Sequence, residues 1–265
     1  MNQPQAIRRL QRTQGAAHLS FGISGVQRWR EDGAAKVRLP RRPKDAPAEA
    51  ILINTAGGLT GGDRLDWRFD INGASLIATT QAAEKIYRSL GDDAEIRSRL
   101  TATSGAQIYW LPQEAILFDG ARLQRTLDVD LTGGATLLAL EATVFGRRAM
   151  GESIHDLAFH DRWRVRRNGK FVFADDIRFG GALPRTAATL GEAGAMATLL
   201  LVADDADAQL ASLREIFGAG GAVSAWDGKL LARVLAKDGF DLRKLLNPAL
   251  KLLVPGGALP MIWSL

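Results

Sequence analysis

The sequence contains no cysteine in 265 residues, and that absence removes several chemistries at once. Without thiols there is no disulfide framework, no thiolate metal site and no cysteine nucleophile, so any metal held by this chain must sit on oxygen or imidazole. Imidazole is itself scarce, with three histidines, His18, His155 and His160. The interval between the last two matches neither one face of a helix nor one face of a strand, which makes HDLAFHD a poor zinc or nickel motif. A serine triad would have to use one of these three, and no GxSxG elbow is present. No window approaches the roughly 18 consecutive apolar residues of a membrane-spanning helix, and the opening MNQPQAIRRLQRTQG lacks the apolar centre of a secretory signal. The expectation is a cytoplasmic protein with no membrane partner.

Charge is unevenly placed. Residues 1–50 carry ten Lys and Arg against Glu31, Asp32, Asp45 and Glu49, while the chain as a whole is +5. Arg8, Arg9 and Arg12 precede any acid, a pattern found in transit peptides and nucleic-acid arms. No aromatic residues interleave with them as base stacking requires. Residues 1–15 are therefore read as a disordered, solvated basic N terminus, with no nucleic-acid partner.

Short runs rich in Val, Ile, Leu and Trp recur between dipeptide turn signals at Asp32-Gly33, Asn72-Gly73, Ser104-Gly105, Gly133-Gly134 and Asn168-Gly169. Each predicts a β-hairpin. Four of the turns are followed at once by alanine (Ala34, Ala74, Ala106, Ala135), giving a loose, irregular repeat. A hairpin buries one face only when another layer covers it. The expected fold is mainly β: layered, stacked antiparallel sheets built from successive hairpins, β-solenoid-like, in a single domain over 1–265. Helices are expected mainly in the C-terminal third. DDADAQLASLREIF, residues 204–217, places Leu210, Leu213, Ile216 and Phe217 on one face. FDLRKLLNPALKLL, residues 240–253, predicts a helix capped by Asp241 and kinked or divided at Pro248.

The glycine run Gly57-Gly58-Leu59-Thr60-Gly61-Gly62 follows a strand-like AILIN and invites comparison with a phosphate loop. It lacks the terminal Gly-Lys-Ser/Thr, and the following RLDWRFDI reads as a strand, not a helix whose N terminus would hold an anion. Glycines that permit positive φ, or a close backbone approach, account for the run better. Asp63, at the exit of the turn, has two readings, a cap on the turn's own amides and a functional carboxylate. Thr79 to Arg88, TTQAAEKIYR, gathers hydrogen-bonding groups that suit a polar interior layer, a channel wall or an interface, with a surface strand leading into a loop as the plain alternative. Glu141, Arg147, Arg148 and Glu152 flank Phe145-Gly146 and suit an Arg–Glu brace around a turn better than a catalytic carboxylate pair. The tryptophans Trp29, Trp67, Trp110, Trp163, Trp226 and Trp263 are scattered as core or interface anchors tend to be, and the apolar run LPMIWSL either tucks against the core, the favoured reading, or is buried in a partner.

Three runs carry a family likeness: Ile53 to Ser89, LPQEAILFDGAR (Leu111 to Arg122) and EATVFGRRAMGE (Glu141 to Glu152). In this order they resemble the urease accessory protein D family, also called UreD or UreH, and WRVRRNGKFVFADDIRFGGALPRTAATLG continues the likeness more loosely. The family turn is matched by Gly57, Gly58, Gly61, Gly62 and Asp63, and its polar strand by Thr80, Gln81, Lys85, Tyr87 and Arg88. Its later motifs are matched by Glu114, Glu141, Gly146, Arg147, Gly151 and Glu152. The resemblance implies a stack of β-sheets with few helices and a non-enzymatic scaffold. Such a scaffold joins accessory proteins F and G on apo-urease and assists GTP-dependent delivery of nickel to the urease active site. It also implies that GTP belongs to protein G and that no cofactor is bound stably. Asp63, Glu114, Glu141 and Glu152 are then expected to line a transient, hydrated route for nickel, since carboxylates hold borderline divalent ions weakly enough to release them. The alternative is a β-solenoid acting on carbohydrate, with paired carboxylates about 5–10 Å apart as acid and base and tryptophans as a sugar-stacking stripe.

Overall fold

A computed structural model describes residues 11–43 and 46–264. In chain order the elements are β1 (Gln14–Gly22), β2 (Gly25–Gly33), β3 (Ala35–Arg38), β4 (Ala48–Asn54), β5 (Arg64–Asn72), β6 (Ser75–Thr80), β7 (Glu84–Ile86), β8 (Ala94–Thr103), β9 (Gln107–Trp110) and β10 (Ala115–Leu117). They continue with β11 (Arg122–Leu131), β12 (Thr136–Phe145), β13 (Ala158–Arg167), β14 (Lys170–Gly180), β15 (Ala195–Val202), α1 (Leu210–Phe217), β16 (Gly221–Trp226), β17 (Lys229–Ala236) and α2 (Gly239–Leu253). The expected basic tail falls largely on residues 1–10, outside the described residues, and Gln14 and Gly15 already belong to β1.

The strands form two mixed sheets. Sheet A runs β14-β13-β11-β8-β5-β1-β2, and sheet B runs β16-β17-β15-β12-β9-β6-β4-β3 with β10 and β7 added beside β12. Pairing is parallel through the middle of sheet A, from β13 to β1, and antiparallel only at its two edges. In sheet B, β12, β9, β6 and β4 pair in parallel. This corrects the expected antiparallel stack of hairpins to two mixed sheets, and among the described residues they do not close into a solenoid.

Of the five turn signals, Asn168-Gly169 alone makes a hairpin, joining β13 to β14 with Arg167 opposite Lys170. The other four carry the chain from one sheet across to the other. A positive-φ dipeptide reverses the chain but does not choose the partner of the next strand. Here successive turns bond to one another: Gly73 N–H donates to Thr103 O at 3.0 Å and Gly105 N–H to Gly133 O at 2.7 Å. The alanine after each turn is what makes the crossing compact, with Ala106 and Ala135 fully buried where the chain passes between layers.

Two cores result. Leu65, Trp67, Phe69 and Ile71 of β5, alternating with exposed or half-buried residues, fill the space between the sheets. β12 and β15 are buried along almost their whole length because sheet B is covered on both faces. Its outer face carries α1, α2 and the C-terminal segment, with Phe217, Leu242, Leu246, Leu250 and Trp263 in the second core. The N-cap of α2 is Asp238, whose carboxylate accepts the Asp241 N–H at 2.9 Å, not Asp241 as expected. Pro248 lies inside α2 and does not divide it. Burying Leu242, Leu246, Ala249 and Leu250 outweighs the roughly 3 kcal/mol of an internal proline, since each large side chain contributes about 1.5–3 kcal/mol.

Candidate functional site

The three motif runs lie far apart in sequence and become neighbouring parallel strands. β7 from the first pairs with β10 from the second, Ile86 opposite Leu117, and β10 pairs with the end of β12 from the third, Leu117 opposite Phe145. Leu59 of the glycine turn extends this corner by bridging to Ile86, and its N–H donates to Lys85 O at 2.8 Å. The polar segment that reads as one strand is in fact two, β6 and β7, separated by a bend over residues 81–83.

Close packing explains Gly58 and Gly61, and backbone conformation explains the others. At Gly58 (φ 153°) a Cβ would fall 2.4 Å from the Tyr87 ring, and at Gly61 it would fall 2.0 Å from Ser89 Oγ and 2.2 Å from Asp92 O. Gly57, Gly62, Gly146 and Gly151 all have positive φ. Asp63 is buried and accepts the Thr13 N–H at 2.7 Å and the Thr60 N–H at 2.8 Å, so it caps the turn and holds the chain entering β1.

On one side of this corner lies an open groove lined by Tyr87, Arg88, Phe118, Arg147, Glu152 and His155. The Tyr87 and Phe118 rings meet edge to face with centroids 5.1 Å apart, and the Arg147 guanidinium lies 4.3 Å over Phe118. Arg88 pairs with Asp119, whose other oxygen accepts the His155 N–H at 2.7 Å. Those backbone bonds from His155 and Asp156, with Arg88, hold the Asp119 carboxyl below its ordinary range. Glu152 accepts from the Arg147 N–H at 2.8 Å and from its guanidinium at 2.9 and 3.0 Å. Hydrogen bonding to that guanidinium keeps Glu152 low despite partial burial.

Between the sheets is a cavity of about 210 Å³ whose lining includes Trp67, Gln81, Glu84, Trp110, Arg125 and Glu141. At its floor Arg125 carries two carboxylates: Nη1 donates to Glu141 at 2.7 Å, while Nε and Nη2 fork onto Asp161 at 3.1 and 2.7 Å. The Trp110 Nε1–H donates to the other Glu141 oxygen at 2.8 Å. Arg125, Glu141 and Asp161 are each at least 94 % buried. Burial pushes the Glu141 carboxyl up; Asp161 on the same guanidinium adds to that, against the opposing pull of Arg125 and Trp110. Nearer the bend, burial raises Glu84 to about 7 in spite of a 3.0 Å hydrogen bond from the Asn54 amide.

The four carboxylates expected along a nickel route are thus not gathered together. Asp63 caps its turn, Glu114 is gripped by Arg243 of α2 at 2.6 and 2.8 Å, Glu141 faces the cavity and Glu152 the groove. Among the described residues no three His, Asp or Glu side chains are grouped to hold a metal ion. Of the remaining motif residues, Thr80 accepts the Gln113 N–H at 2.9 Å, tying the first motif to the second, while the Gln81 and Lys85 side chains are exposed at the bend and on β7. The tryptophans form no sugar-binding stripe: Trp67, Trp110, Trp163 and Trp263 are buried, and Trp29 and Trp226, the exposed pair, lie at opposite ends of the fold on edge strands of different sheets.

Arg125, Asp161 and Glu84 were not singled out by motif. The first two carry a signal in strand phase: Arg125 shares the inward phase of the buried Leu123, Leu127 and Val129, and Asp161 that of Phe159, Trp163 and Val165. A charge in the inward phase of an alternating strand needs a partner, and β11 and β13 set these two directly opposite one another.

A family model described as UreD urease accessory protein matches residues 13–264. The chain is 51 % identical to the urease accessory protein UreD of Mesorhizobium japonicum, over 96 % of this chain and 95 % of that protein. It is 46 % identical to the UreD of Rhizobium etli, over 97 % of each, and 46 % identical to urease accessory protein UreD 1 of Brucella melitensis, over 97 % of this chain and 95 % of that one. With the motif strands brought side by side and this likeness running nearly end to end, the chain belongs to the UreD urease accessory protein family.

Proposed function

We propose that this chain acts in urease maturation as a non-enzymatic cytoplasmic scaffold, joining accessory proteins F and G on apo-urease and assisting GTP-dependent nickel delivery. The observation that carries the reading is the convergence of the three motif runs on one corner of the molecule, between an open groove and a cavity with a charged floor. The accessory role named for its relatives supplies the process, GTP stays with protein G, and nickel is cargo and not a resident cofactor. A cavity of this size with Glu84, Arg125 and Glu141 on its wall has room for several waters, which suits a hydrated ion in passage, and the arginine partners of Glu114, Glu141 and Glu152 compete with any metal and favour release.

The test is co-expression with the urease subunits and accessory proteins F and G, followed by pull-down on a tag placed on this chain and assay of urease nickel. Recovery of apo-urease with its accessory proteins is expected. Replacing Asp63 by asparagine and Glu141 by glutamine, which keep acceptors for the Thr60 and Trp110 N–H groups, should lower urease nickel while the complex is still recovered. Undiminished nickel would sink the route, and failure of the folded wild-type chain to recover any of these proteins would sink the scaffold.

A further inference from the structure

The helices pack on β12, β15, β16 and β17, all in sheet B, and leave the outer face of sheet A without a covering layer among the described residues. Parallel strands are normally covered on both faces, yet the middle of sheet A is parallel. One row across this face reads, strand by strand, Arg30, His18, Arg68, Arg99, Asp128, Arg164. Arg68 therefore stands directly between His18 and Arg99. Like charges directly opposite on adjacent strands destabilise a sheet. The flanking carboxylates only partly relieve the row: Asp70 meets His18 at 2.6 Å and Arg68 at 3.1 Å, Asp66 reaches Arg99 at 3.6 Å, and Asp176 holds Arg164 at 2.5 Å. Arg30 makes no ion pair among the described residues, and the Arg68 and Arg99 side chains remain 56 % and 53 % exposed. A row that breaks the local rule for sheet stability is where a surface role is expected.

We propose that the outer face of sheet A is a docking surface for an acidic protein, whose carboxylates meet the row formed by Arg30, Arg68, Arg99 and Arg164. The inference rests on the maturation reading for the identity of its test partners. Seven strands at about 4.8 Å spacing and about 30 Å of strand length give a footprint on the order of 900 Å², close to the roughly 800 Å² per partner of a stable interface. A second copy of this chain is the wrong occupant, because two-fold pairing would set the cationic row against itself. Nucleic acid fits less well, because Asp128 interrupts the row and Asp66 and Asp70 lie beside it, whereas a protein surface can answer both signs.

The experiment compares the full-length wild type with the Arg68→Glu, Arg99→Glu double variant, each presented separately to purified apo-urease, accessory protein F and accessory protein G over a range of salt. The wild type should bind one of these with an affinity that falls steeply as salt rises. The variant should bind that partner at least about tenfold more weakly and with a flatter salt dependence. Its melting temperature should be no higher than that of the wild type, since two carboxylates would again stand directly opposite and would lie beside Asp66 and Asp70. Should the variant be less stable, Arg68→Gln with Arg99→Gln takes its place and must weaken binding without lowering the melting temperature. Equal binding by wild type and a folded variant overturns the docking surface and leaves the maturation reading intact. Wild type that binds none of the three overturns both. Binding of the wild type to a short DNA duplex at physiological salt, lost in the variant, replaces the acidic protein by a polyanion and overturns the proposal.

Discussion

Arg125 holds two carboxylates at the floor of the cavity, all three side chains almost wholly buried, and its value lies less in what the pairs add than in what their loss would expose. Removing one member of a buried ionic cluster leaves an uncompensated charge, at a cost of about 3–5 kcal/mol. Arg125→Ala should therefore lower the free energy of unfolding by that order in urea titrations, and a loss under 1 kcal/mol would contradict the assignment. Glu84 gives a test in pH. Its folded-state pKa is raised from 4.5 to about 7 by burial, so between those values the folded chain holds a proton that the unfolded chain has released. Stability then falls as pH rises through that window and stays low above it. Glu84→Gln keeps the hydrogen bond to Asn54 and cannot ionise. It should match wild type near pH 4 and exceed it at pH 8 by on the order of 2–3 kcal/mol, and an equal difference at both pH values would refute the argument.

At the scale of elements, Gly61 is a packing requirement of the turn, where an alanine would drive into Ser89 Oγ and the Asp92 carbonyl. Gly61→Ala should cost about 1–3 kcal/mol, seen as a lower melting temperature with faster amide exchange over residues 89–92. In α2 the cap is Asp238, so Asp238→Ala should cost about 1 kcal/mol and Asp241→Ala distinctly less; the reverse order would reinstate the cap read from sequence. That pair also marks where sequence reading runs out. The strands, the turn positions and both helices were legible, because alternation and the turn dipeptides are local signals. Whether β5 and β6 pair as a hairpin or stand in opposite sheets depends on the parallel partners β8 and β9, which arrive some thirty residues later in the chain. The reading of Asp63 as a cap on its own turn was available from its place at the turn exit, but its bond to the Thr13 N–H was not, because β1 reaches it only through a contact fifty positions away in sequence. Arg125 and Asp161 were visible as charges in the inward phase of their strands, though not as partners, until β11 and β13 were set side by side.

At the scale of the whole molecule, sheet B depends on what comes after it in the chain. Its outer face, including Leu138, Leu140 and Leu199, is buried beneath α1, α2 and Trp263. Deleting residues 239–265 should leave a chain that sediments as aggregate when expressed, and a soluble, monomeric truncation would show that this cover is dispensable. The C-terminal segment is fastened at separate points: the Trp263 Nε1–H donates to Leu111 O at 3.1 Å, Arg243 grips Glu114, and Arg42 donates to Ala258 O at 2.7 Å. Two of these anchors lie in the second motif run. A ribosome makes that run well before it makes the residues that clamp it, so the motif corner reaches its final form only after Arg243 and Trp263 have been added. Until then the nascent chain carries an uncovered apolar sheet, and a stalled or prematurely terminated product exposes the surface that quality-control proteases and chaperones recognise.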